Sequence, residues 1–74
     1  MSYTRRAYVD FAGIIKKEIE LTEEASTLSQ DERDFAIETI TLLGDRIADL
    51  FEKDNPRTFD RELFLSNAKI TTTD

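Results

Sequence analysis

Apolar residues recur along this chain at helical spacing, in three blocks separated by polar joints. In the first block Tyr8, Phe11, Ala12, Ile15 and Ile19 share one face at about 100° per residue, and Ala7, Ile14 and Leu21 widen it. Arg6, Gly13 and Lys17 point the other way, flanked by Arg5 and Lys16, which describes an amphipathic helix. Thr4 is placed to cap it, with Tyr3 and Tyr8 at the positions of a hydrophobic staple. Gly13 is read either as a tolerated surface glycine or as a point of close approach.

The polar run TEEASTLSQDE, Thr22 to Glu32, predicts a loop, and its SQDE ending has the Ser-x-x-Glu form of a capping box. A long helix follows, with Ala36, Ile40, Leu43, Ile47, Leu50 and Phe51 as its main stripe and Ile37, Gly44 and Ala48 on one flank. Gly44 would let a neighbour approach closely, or would simply weaken the helix. Phe35 and Leu42 lie well away from that stripe and share a face with Thr39, Arg46 and Asp49. Either a second neighbouring helix covers them, or they form an exposed patch for a partner.

DNPRTFDRELFLSN, residues 54–67, is the densest pattern in the chain. Asn55 suits a left-handed helix end, Pro56 enforces the stop, and Asp60 suits the cap of a third helix. Phe59 and Phe64 fit a second staple, and Glu62 and Lys69 match the poles of that helix. Each conspicuous residue thus has a structural role, and the stretch reads as a junction. The expectation is an all-α, small three-helix domain, with helices over 4–21, 30–53 and 60–68. A single domain spans 1–70, a disordered tail covers 71–74, and fraying begins at Ile70. Apolar residues other than the Phe35 strip are expected to be used internally.

Composition narrows the chemistry. The 74 residues include no cysteine and no histidine, so neither a disulfide nor a Cys/His metal site supports the fold. A chain this short buries only about 60% of its unfolded surface. The net charge of −6 is uneven. Residues 1–17 are net basic, whereas 18–38 hold eight acids against Arg33 alone. Direct nucleic-acid binding is not expected of a net acidic chain, because phosphate neutralisation supplies most non-specific affinity. Without His or Cys no enzyme activity is expected, and no metal or other cofactor is assigned. No signal peptide is read, and no run reaches the ~18 apolar residues of a membrane span, so the expected setting is cytoplasmic.

The segment IADLFEKDNPRTFDRELFLSNA, Ile47 to Ala68, resembles the closing half of short helical proteins of tailed bacteriophages and prophages. Those often end in a pattern like N-P-R-F-D-R-x-R-F-L-x-A. Asn55, Pro56, Phe59, Asp60, Arg61, Phe64 and Leu65 carry the likeness, and Tyr8 with FAGII is similar to their opening helix. The chain departs from the pattern at Thr58, an insertion, and at Leu63, where arginine is common. The resemblance implies a small phage accessory protein in a bacterial host cell and brings no catalytic residues.

Small size, the off-stripe residues and the polarised charge together point to a protein-binding module, with a host protein, a phage protein or a second copy as partner. The candidate contact strip is Phe35, Thr39, Leu42 and Arg46. The alternative is an acidic nucleic-acid mimic that inhibits a host DNA-acting or defence protein. Its acidic patch would comprise Glu20, Glu23, Glu24, Asp31 and Glu38.

Overall fold

The computed structural model describes residues 3–70, and the expected tail over 71–74 lies outside them. Three helices follow one another: α1 over Arg5–Glu24, α2 over Gln30–Asp54 and α3 over Arg61–Asn67. α1 and α2 form an antiparallel hairpin, closed at its open end by the Tyr3 N–H donating to Asp54 Oδ2 at 3.1 Å. α3 folds back on one side of that hairpin.

Local chemistry fixes the helix ends. Thr4 Oγ1 accepts from the Ala7 N–H, and Ser29 and Glu32 form the full capping box. Asp60 accepts from the Leu63 N–H. α1 runs three residues beyond the expected end. The Thr22 hydroxyl donates back to the Glu18 carbonyl at 2.8 Å, so this threonine continues the helix instead of opening the loop. Asn55 is not left-handed: its φ is −147°, in keeping with the extended bias that Pro56 imposes on its predecessor. Its carbonyl accepts the Thr58 and Phe59 N–H groups and closes the turn into α3.

The left-handed residue is Lys69, with φ 62°. The Ile70 N–H donates to the Leu65 carbonyl and the Lys69 N–H to that of Ser66, which makes a Schellman end to α3. This motif turns Ile70 inward against Gly44 and Ile15, so the fraying expected from Ile70 is corrected: the residue is buried. A Cβ at Gly44 would collide with Ile70 Cδ1 and would lie 3.5 Å from Ile15 Cδ1.

Six of the seven aromatic rings cluster at the end of the hairpin far from its loop. Phe51 is the hub, and Tyr3, Tyr8, Phe11, Phe59 and Phe64 meet it with centroids 4.8–5.6 Å away in tilted or edge-on geometry. Tyr3 therefore meets Phe51, as Tyr8 does, and the Phe59–Phe64 staple forms at 5.5 Å. Ala12, Ile15, Ile19, Ala48, Leu65, Ala68 and Ile70 complete the core.

The buried arc of α2 is rotated from the expected stripe. Gly44, Ala48 and Phe51 are its buried residues, whereas Leu43 and Leu50 are at least half exposed. On α1, Ile14 and Leu21 are likewise exposed instead of widening the core. The reason is the position of α3. Arg61 grips Asp49 at 2.6 Å and Asp45 at 2.5 Å, and Lys69 reaches Glu23 of α1 at 2.6 Å. These contacts draw α3 to the side on which Ala48 and the small residue Gly44 permit close packing. On the helical wheels that side is roughly opposite Leu43, Leu50, Ile14 and Leu21.

Candidate functional site

Among the described residues, none covers the face of the hairpin opposite α3. From α1 it takes Phe11, Ile14 and Leu21, and from α2 it takes Leu43 and Leu50. The α1 residues lie on the flank opposite Glu23, and Leu43 and Leu50 on the flank opposite Asp45 and Glu52, which are the positions facing the α3 segment. Being antiparallel neighbours, the two flanks join into one surface along the hairpin. Phe35 and Leu42 stand on the outer side of α2, on the helix face of Asp49, which Arg61 holds.

Phe35 is 73% exposed and Leu42 is 55% exposed. Phe35 is the one aromatic ring outside the cluster around Phe51. Thr39 and Arg46 are exposed beside them. The Thr39 hydroxyl donates to the Phe35 carbonyl at 2.9 Å and so is occupied within the helix. Arg46 has no ion-pair partner among the described residues, and Asp49, three positions on, is held by Arg61. Glu18, centred on the α1 flank, is also without an ion-pair partner among the described residues. The strip read from sequence is thus exposed on the outer side of α2, and Leu43, Leu50, Phe11, Ile14 and Leu21 form a separate apolar surface on the side opposite α3. Those five were assigned to the core. The pairing of Gly44 with Ala48, four apart, was the available signal that the buried arc lay further round.

The acidic residues divide into two groups. Glu20, Glu23 and Glu24 surround Lys69, whose amine is held above its ordinary value by the Glu23 hydrogen bond, against some desolvation, with attraction from Glu23, Glu20 and Glu24 adding to it. Asp31 and Glu38 stand on α2, and no hydrogen bond or ion pair among the described residues joins them to that group. Asp31 sits in the first turn of its helix, where a negative charge suits the dipole.

Arg61 was singled out only through the resemblance. Partial burial opposes its charge, but hydrogen bonds to Asp49 and Asp45, with their coulombic attraction, outweigh that and raise its pKa. Phe59, Asp60, Phe64 and Leu65 of the same pattern supply core and cap, so the densest motif builds the α3 junction.

A groove of about 670 Å³ lies between α1 and the α3 segment, with Arg5, Val9, Arg57 and Leu63 among its lining residues. Its lining includes both Arg5 and Arg57 and the acids Asp60 and Glu62, so no single ligand charge is selected. The Tyr8 hydroxyl is buried beside it with no hydrogen-bond partner among the described residues. No helix among the described residues is long and apolar enough to cross a membrane. The chain matches no protein-family model, no curated protein and no solved structure.

Proposed function

We propose that this chain is a protein–protein interaction module that binds through the exposed outer side of α2, with Phe35, Thr39, Leu42 and Arg46 in the contact strip. The observation that carries this reading is the exposure of Phe35 and Leu42 on a molecule that packs its six other aromatic rings together. Apolar side chains in a contiguous row on a helix are what helix-in-groove and helix-on-helix recognition use. The resemblance to small phage proteins accords with an accessory role in a bacterial host. The acids of the hairpin end would steer the approach of a basic partner, a weaker effect that salt screens.

The test compares the wild-type chain with a Phe35→Ser/Leu42→Ser variant as baits in the same host extract, with helicity of both measured by circular dichroism. The reading expects the variant to keep its helicity and lose the proteins that the wild type retains. A variant that retains the same proteins, or that unfolds, contradicts it.

A further inference from the structure

We infer that the groove between α1 and the α3 segment is a binding site for a small zwitterion with an apolar body, the chemistry of a free aromatic or branched-chain amino acid. The site is separate from the strip on α2 and does not depend on it. Size and lining are the first argument. The groove holds about 670 Å³, inside the range of roughly 300–1,000 Å³ usual for small-ligand sites. Its buried lining residues, Tyr8, Phe59 and Phe64, make an aromatic floor. Val9 of α1 and Leu63 of α3 also line it, each 57% exposed. An apolar ligand laid between them takes its own surface and theirs out of water. Beneath it the Tyr8 hydroxyl is buried with no hydrogen-bond partner among the described residues, which is uncommon in a folded chain.

Charge is the second argument, and it selects the class of ligand. Arg5, Arg57, Asp60 and Glu62 all line the groove and all are exposed. None of the four has an ion-pair partner among the described residues, although both signs share one rim. Arg61, the other charged lining residue, is held by Asp45 and Asp49. Asp60 accepts the Leu63 N–H through one oxygen, which leaves the other to an ammonium group. A ligand that is only an anion is drawn to Arg5 and Arg57 but repelled by Asp60 and Glu62, and a cation meets the reverse. A molecule with an ammonium and a carboxylate on one carbon suits both pairs at once. Because these charges stand in water, each contact is weak, and millimolar affinity is expected.

Titration of the isotope-labelled full chain with phenylalanine, followed by amide chemical shifts, tests this. Two further probes keep the ring but carry a single charge, phenethylamine and phenylpropionate. The inference expects saturable shifts centred on Val9, Thr58 and Leu63, with each single-charge probe binding about threefold or more weakly. Arg57→Gln should weaken phenylalanine and leave phenethylamine no weaker. Glu62→Gln should weaken phenylalanine and leave phenylpropionate no weaker. Both side chains are exposed, so the helicity of these variants should equal that of the wild type. Shifts in the groove that do not saturate with phenylalanine overturn the inference. So does a single-charge probe that binds as tightly as phenylalanine, or a phenylalanine affinity indifferent to both variants.

Discussion

One side of the α1–α2 hairpin is covered by α3 and the other is bare, yet apolar residues occur on both at helical spacing. On the covered side the small residues Gly44 and Ala48 admit Ile70 and Ile15, while Arg61 and Lys69 fasten the α3 segment to α2 and α1 in turn. On the bare side stand large residues, Leu43, Leu50, Ile14 and Leu21, each at least half exposed among the described residues. Hydrophobic periodicity shows that a face is apolar, but residue size shows which face a neighbour has approached. A short third helix cannot cover both sides of a 25-residue helix.

The largest expected effect lies on the covered side. Phe51→Ala removes the ring that five others touch and should cost about 3–5 kcal/mol. Against a total on the order of 4–11 kcal/mol for a chain of this length, this removes from about a quarter to all of the stability, and the urea midpoint should fall steeply. A loss below about 1 kcal/mol would mean that the aromatic end is not the stabilising centre.

The two glycines sharpen the contrast at smaller scale. Gly13 faces open space, so Gly13→Ala should stabilise by about 1 kcal/mol through helix propensity alone. Gly44→Ala makes the same gain but pushes on Ile70, which its Schellman end holds in place. It should therefore fall about 1–2 kcal/mol short of Gly13→Ala in thermal unfolding. Equal effects would indicate that Ile70 is free to move aside.

The smallest effect concerns the loop end. Hydrogen bonds from the Ser29 backbone and then its side chain hold the Glu32 carboxyl below its ordinary value of 4.5. Because the folded value is the lower one, this stabilisation is present above about pH 4.5 and fades as pH falls through the folded value. The urea midpoints of the wild type and Glu32→Ala should accordingly differ at neutral pH and converge in acid. A gap independent of pH would assign the effect to helix propensity.

Much of this architecture was legible in the chain. Thr4, Ser29 with Glu32, and Asp60 marked the three helix starts because capping is local chemistry, settled within four residues. The ends were harder. Thr22 continues α1 by bonding backwards, and Lys69 ends α3 in a conformation that usually calls for glycine. Burial was hardest of all, since it depends on where α3 docks. That docking is decided by Arg61 meeting Asp45 and Asp49, twelve to sixteen positions away in sequence. Phe35 and Leu42 stood out as off-stripe, but Leu43 and Leu50 did not, because a wheel centred on Ile40 and Ile47 counts them as core. Gly44 and Ala48 show where the wheel's centre belongs.

The central claim is that the exposed strip of Phe35 and Leu42 is surplus to the fold of a single chain. Its most direct test is the urea unfolding free energy of Phe35→Ser/Leu42→Ser at low micromolar concentration, where self-association is suppressed. The account predicts a loss below about 0.5 kcal/mol, since serine matches phenylalanine in helix propensity and trails leucine by a few tenths. A loss approaching the ~3–5 kcal/mol expected for Phe51→Ala would contradict it, because those side chains would then belong to the monomer's own core.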